Sequence, residues 1–264
     1  MRLISFGSGS SGNAFLLDTG EARIMFDCGV GIRRMQREMA RLDLAGRLDA
    51  IFISHEHIDH IRALESLLRR DDYPVFASRG TFSAIGSRPA WSAIRAEQRV
   101  EVGGVEVTPV GVSHDAAEPL GFFIDTPGER IALFTDLGEP AAGVSAAIEG
   151  STVVILESNY CESMLRHSSY PAQLKRRIRS QHGHLSNDDC AATLVESVTP
   201  EVRTVWLAHL SENNNAPDIA ELTVRESFAV RGVGLPVQAL PRYDAVDLLA
   251  ARHEERTWQT PLLR

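Results

Sequence analysis

A chain of 264 residues with 44% hydrophobic side chains can bury a substantial core and reads as soluble and globular, and it contains no run of about eighteen apolar residues that would span a bilayer. Its first residues, Met1-Arg2-Leu3-Ile4-Ser5-Phe6, carry no signal-peptide h-region, and Cys28, Cys161 and Cys190 are too few and too far apart for a disulfide framework or a thiolate zinc site, so a cytoplasmic protein with no membrane partner is expected. The formal charge of −8 speaks against a general nucleic-acid-coating surface, but it does not exclude a nuclease whose positive charge comes from bound metal ions, about +4 for two divalent ones.

In chain order, the residue pattern predicts short strands over 3–6, 14–18 and 23–27 and a helix over 32–44 with apolar residues at helical spacing. A buried strand over 50–53 runs into the polar stretch Ser54-His55-Glu56-His57-Ile58-Asp59-His60, followed by a helix over 59–68. A strand at 75–77, a helix near 81–86 and a β-rich region with strands over 105–112, 120–125 and 130–134 come next. The second part repeats the grammar, with strands at 152–156 and 202–208 and helices at 160–166, 171–180, 187–198 and 219–230. No Gly/Ser/Pro linker separates the halves, which predicts a single α/β (α+β) domain over 1–250, sheets inside and helices outside, and a polar C-terminal tail over 251–264.

Three imidazoles and a carboxylate at the end of a buried strand are costly to desolvate unless something binds them, and a transition metal is the usual partner. His55 and His57, two residues apart on an extended turn, suit one ion, whereas Asp59 and His60 project differently from the start of a helix, so the spacing suggests two adjacent ions. Further donors stand where polar side chains follow hydrophobic strands: His114 after Val112-Ser113, Asp136 after Phe134-Thr135, and His209 after Leu207-Ala208. Any one of them alone reads more readily as a capped strand end or a satisfied histidine. Together with the loop they supply five imidazoles and two carboxylates, enough for two ions with positions left open for water and substrate.

Other stretches are more ambiguous. The loop Ser8-Gly9-Ser10-Ser11-Gly12-Asn13 reads equally as a tight turn or as a source of backbone N–H groups facing the site. His184 precedes Ser186-Asn187-Asp188-Asp189, a helix-capping segment, and capping does not call for an imidazole. Lys175-Arg176-Arg177-Ile178-Arg179 is either a solvated helix face or a phosphate-tracking patch.

With His-x-His-x-Asp-His at 55–60 and the later His, Asp and His after successive strands, the chain resembles the metallo-β-lactamase-fold hydrolases over nearly its whole length. That resemblance implies a four-layer αββα sandwich with the site along one edge. His55, His57 and His114 would hold one metal, Asp59, His60 and His209 the other, and Asp136 would bridge them. Asp136 and His57 set the chain apart from the main zinc β-lactamases and from the flavo-di-iron reductases.

Further stretches narrow the resemblance: the Gly/Ser loop, His114-Asp115-Ala116-Ala117-Glu118-Pro119, Glu157-Ser158-Asn159-Tyr160, Tyr170-Pro171, Gly183-His184-Leu185-Ser186-Asn187 and His209-Leu210-Ser211-Glu212-Asn213-Asn214. With these the chain resembles the YycJ/WalJ family, regarded as metal-dependent nucleases acting on DNA and related to tRNase Z and RNase J without the inserted β-CASP domain. Cys161 departs from the acidic residue expected there in many relatives.

The function so implied is hydrolysis of DNA phosphodiesters, with 5′→3′ exonucleolytic cutting as one form, by a hydroxide bridging two divalent metals about 4 Å apart. Asp59 would orient the attacking water and His184 would act as general acid toward the leaving 3′-oxygen. Zinc is the expected metal, with manganese or iron also suited to the donor set. The rival readings are a thioester or lactone hydrolase of the glyoxalase type and an iron-dependent sulfur dioxygenase.

Overall fold

The computed structural model describes residues 1–44, 46–86, 88 and 91–250, and the polar tail expected at 251–264 lies outside the described residues. Strands β1 (Arg2–Gly7), β2 (Ala14–Asp18), β3 (Arg23–Phe26), β4 (Ala50–Phe52), β5 (Val75–Ser78) and β6 (Trp91–Ile94) form the first sheet with β14 (Val246–Asp247), in the order β14-β1-β2-β3-β4-β5-β6. The second sheet contains β7 (Val100–Val102), β8 (Val105–Gly111), β9 (Leu120–Asp125), β10 (Arg130–Phe134), β11 (Val153–Glu157), β12 (Thr204–Ala208) and β13 (Val237–Ala239), in the order β13-β12-β11-β10-β9-β8-β7. Strands β3 to β6 run parallel to one another, as do β10 to β13.

Side chains alternate across each strand and so divide between two cores. Leu3, Phe15, Leu17, Phe26 and Phe52 of the first sheet meet Val107, Phe122, Ile131, Ile155 and Trp206 of the second. Their neighbours in the sequence face outward. Ile4, Leu16, Met25 and Ile51 pack on Met35 of α1 (Ile32–Arg41), Leu64 and Leu67 of α3 (Leu64–Leu68) and Phe82 of α4 (Arg79–Ile85). Ala132, Val154, Leu156 and Leu207 pack on Ile148 of α5 (Ala142–Glu149), Leu194 of α8 (Asn187–Ser197) and Phe228 of α9 (Pro217–Val230). The result is the four-layer αββα sandwich implied by the resemblance. None of the described helices is long and apolar enough to cross a membrane.

Most expected boundaries shift by only one or two residues, and two helices differ more, for identifiable reasons. The helix expected over 32–44 ends at Arg41, because Asp43 enters the left-handed region (φ 54°) while Asp43 N–H and Leu44 N–H close back on the Ala40 and Met39 carbonyls. This is a Schellman ending with Asp where Gly is usual. The helix expected over 59–68 is instead two, α2 (Ile58–Ile61) and α3, because distant backbone takes the bonds that would join them. Asn13 N–H donates to the Asp59 carbonyl, Cys28 N–H to that of His60, and Ala63 N–H turns to Cys28 O. The residue pattern also misses α5, which is rich in small residues, and the short strands β6, β7, β13 and β14, too brief for period-2 alternation to register.

Candidate metal centre

The loops after β3, β4, β8, β10, β11 and β12 open on the same edge of the sandwich. There the capture of the Asp59 and His60 carbonyls also fixes where those two side chains point. Gly29 is essential to that contact, since a Cβ at this position would stand 1.5 Å from the Asp59 carbonyl oxygen.

Four of the five predicted imidazoles are held in the same way. Nδ1 of His55 lies 2.9 Å from Ser54 Oγ, that of His60 2.7 Å from Asp27 Oδ2, that of His114 2.9 Å from the Gly183 carbonyl, and that of His209 2.8 Å from Glu157 Oε1. With Nδ1 occupied, Nε2 of each ring faces the others. His57 is turned the opposite way, its Nδ1 lying 3.1 Å from His55 Nε2. Two nitrogens bound to one tetrahedral zinc at about 2.0–2.1 Å stand about 3.3 Å apart, so this pair has the bite of a chelate.

Asp136 lies at the centre. Its Oδ2 is 2.9 Å from His60 Nε2, and its Oδ1 is 3.5 Å from His114 Nε2 and 3.2 Å from His209 Nδ1. Asp59 Oδ2 stands 3.5 Å from His209 Nε2 and 3.8 Å from His60 Nε2. Metal-capable donor groups accordingly form around His55, His57 and His114, around Asp59, His60 and His209, and around His55, His60 and Asp136. All seven predicted donors are brought together.

His209 Nε2 is buried without a hydrogen-bond partner, and Asp136 Oδ2, also buried, meets the His60 ring at 2.9 Å without a well-aligned hydrogen bond, which is costly for polar atoms unless something else satisfies them. Divalent ions fit this donor set: soft-to-borderline imidazole nitrogens, hard carboxylates, and outward ring nitrogens already tied by acceptors that orient them.

The electrostatics divide the rings. Burial, reinforced by the neighbouring His60, holds His55 well below the ordinary imidazole range, and burial also lowers His114. Burial works against the charge of His60 too, but the Asp27 and Asp136 carboxylates outweigh it and raise that ring to about 10. His209 is driven well up against its own burial, chiefly by Asp136. Asp136 is held well below the carboxylate range despite burial, because His209 and His60 surround it.

His184 joins the edge of this cluster. Its Nδ1 is 2.8 Å from Glu157 Oε1 and 3.7 Å from Asp136 Oδ1, and its side chain keeps 24% exposure where the rings of His55, His60 and His209 are buried. Burial lowers its pKa, but Glu157 more than compensates and the net shift is upward. The capping reading of the following residues also holds: Ser186 Oγ accepts from Asp189 N–H at the start of α8.

Residue patterns missed the groups that orient these rings. Glu157, fully buried at the end of β11, accepts from Leu137 N–H and Leu185 N–H as well as contacting His184 and His209. Asp27 accepts from Ser54 N–H and Ser54 Oγ besides holding His60. Both carboxylates end buried strands, the signal that singled out Asp136. The Gly/Ser loop reaches the site through the side chains of Ser8 and Asn13. Gly9 N–H is taken by Asn13 Oδ1 and Gly12 N–H by Gly9 O, while Asn13 Nδ2 lies 3.1 Å from His60 Nε2 and Ser8 Oγ accepts from His209 N–H. Cys161 stands at the start of α6 (Glu162–His167), where its N–H donates to Asn214 O.

Residues 22–210 match the beta-lactamase superfamily domain, a span that holds every predicted metal donor. The exodeoxyribonuclease YycJ of Bacillus anthracis is 34% identical over 86% of this chain and 89% of its own length. The chain belongs to the YycJ/WalJ family of that superfamily. The exodeoxyribonuclease WalJ of Streptococcus pneumoniae is 30% identical to this family member over 87% of the chain and 89% of the relative. Among solved structures, the metallo-beta-lactamase fold protein YhfI of Bacillus subtilis superposes with a TM-score of 0.68 at 15% identity, covering 94% of this chain and all of that one, a likeness of fold alone. A YycJ/WalJ-family chain with this domain is a metallo-β-lactamase-superfamily hydrolase.

Proposed function

We propose that this chain is a metal-dependent exonuclease of DNA. The observation that supports metal dependence most directly is the inward set of ring nitrogens, four of the five rings held from behind, around the buried Asp136 carboxylate. The choice of DNA rests on relatives named exodeoxyribonucleases that match along most of the chain. In this reading His55, His57 and His114 hold one divalent ion, Asp59, His60 and His209 the second, and Asp136 is shared. Zinc suits the imidazole-rich set, and the two carboxylates also accept manganese. Buried, unpaired Cys28 and Cys190 suit a reducing, cytoplasmic setting.

When bound, two divalent ions bring the pKa of water toward neutrality and neutralise charge that builds on a phosphate under attack. Asp59 Oδ2, facing the cluster, orients the attacking water. His184 gives a proton to the leaving 3′-oxygen through Nε2, because Nδ1 is occupied by Glu157. Ser54, Asp27, Gly183 and Glu157 keep the ring nitrogens turned inward and so reduce the reorganisation that binding would require.

The test is digestion of single- and double-stranded DNA and RNA, labelled at either end, with manganese or zinc supplied. Loss of nucleotides from one end of DNA is the expected result, and the label position gives the polarity. No cleavage of any nucleic acid, with turnover of S-lactoylglutathione instead, would overturn the proposal in favour of a thioester hydrolase.

A further inference from the structure

The basic helix α7 (Ala172–Ile178) has no fully buried residue, its apolar Leu174 and Ile178 being half-buried. Its cations add polar ties, and these do different work. Lys175 Nζ donates to the carbonyls of Arg166 and Ser168 at 2.8 and 2.7 Å, and Arg179, just past the helix, grips Glu162 with both ends of its fork at 2.9 and 2.6 Å. Those ties are local. Arg177 instead crosses to the loop after β8, donating through Nε to Asp115 Oδ2 at 2.6 Å, with Nη2 on the same oxygen. Asp115 adjoins His114, and its other oxygen lies 3.3 Å from His114 Nε2, the nitrogen that faces Asp136.

We propose that Arg177 is a phosphate-binding residue of the substrate site, parked on Asp115 until a nucleic-acid strand arrives. This rests on the nuclease reading above. A guanidinium fork can hold two oxygens of a planar or tetrahedral anion, and Asp115 Oδ2, which Nε and Nη2 share, marks where one such oxygen sits, one residue from a proposed metal donor. The Arg177 side chain is 63% exposed and that of Asp115 28%, and an ion pair so open to water contributes little to stability, so exchanging its anion is easy. Asp115 thereby lowers the affinity for small anions, whereas a polyanionic strand also held at the metal centre displaces it. Arg176, exposed and without a hydrogen bond or ion pair among the described residues, carries the same charge one position away and does not reach the site loop.

The experiment measures kcat and KM on a fluorescent DNA strand over a range of salt, with metal content and melting temperature recorded for each variant. Arg177→Ala is expected to raise KM roughly tenfold or more with kcat little changed, and to reduce the slope of log KM against log salt by about 1. Arg177→Lys, which keeps the charge and loses the fork, falls between. Asp115→Asn frees the guanidinium and lowers KM, and Arg176→Ala leaves KM within about twofold. Unchanged KM and salt slope in Arg177→Ala, or an equal effect from Arg176→Ala, would overturn the inference while leaving the nuclease reading intact. Failure of the native, metal-loaded protein to cut any nucleic acid overturns both.

Discussion

Asp27 Oδ2 stands 2.7 Å from His60 Nδ1, and both side chains are buried. Asp27 adopts a left-handed backbone (φ 55°), unusual for a residue other than Gly, and His209 on the opposite side of the site does the same (φ 54°). Such conformations persist where surrounding bonds over-determine them, here the Ser54 and His60 contacts of Asp27 and the Ser8 and Glu157 contacts of His209.

Asp27→Asn keeps the shape and the acceptor for Ser54 N–H but removes the charge behind His60. Affinity for the ion proposed at Asp59, His60 and His209 is expected to fall by roughly 10- to 100-fold, read by competition with a chromophoric chelator. Unchanged affinity would show that Asp27 serves only the loop backbone.

Gly29→Ala places a methyl group inside van der Waals contact of the Asp59 carbonyl and must push apart the loops that carry Asp59 and Asn13. The expected cost is about 3 kcal/mol or more, a fall in melting temperature of roughly 6 °C or more, accompanied by metal loss. A variant with native melting and full metal content would contradict the packing described here.

His184→Ala should retain both metals and lose roughly 100-fold or more in turnover on phosphodiesters. Asp136→Ala should lose metal outright, because it removes the carboxylate at the centre of the cluster. Metal analysis of the two purified variants separates the roles: full occupancy in Asp136→Ala counts against a shared ligand, and native rates in His184→Ala count against a general acid.

Metal binding should release protons. His60, raised to about 10 in the metal-free protein, carries a proton at neutral pH that a metal must displace, so apparent affinity weakens as pH falls. For the metal-free fold the sign is opposite. A folded pKa above the ordinary 6.5 means that the stability contributed by His60 is complete below about 6.5 and disappears as pH rises through about 10. His55, lowered by burial, works in the other direction, its contribution being lost as pH falls below its ordinary range. Calorimetric titration in buffers of different ionisation enthalpy, together with melting curves of chelator-treated protein from about pH 5 to 10, checks these statements; no proton release on metal binding would contradict the protonation of His60.

Much of the fold is legible in the residue pattern because its cause is local. In β10, Ile131 and Leu133 face one core and Ala132 and Phe134 the other, an alternation set by the pleat. The seven donors were legible because each follows a buried strand, where an unpaired polar group is costly. Asp27 and Glu157 stand in the same kind of place, but their role is not legible there, since a carboxylate at a strand end reads equally as a cap, a ligand or a support until its partners are known. Arg177 shows the same ambiguity among neighbouring cations.

The sequence by itself determined the donor types, their order and the strand–helix grammar, because chemistry and periodicity are properties of short segments. Tertiary structure alone decided which nitrogen of each ring faces inward, that one helix breaks into two beside the site, and which arginine reaches it. These depend on bonds between residues far apart in the chain, such as Asp27 to His60, Asn13 to the Asp59 carbonyl, Glu157 to His209 and Arg177 to Asp115, which exist only once the two sheets have packed and brought their strand ends together.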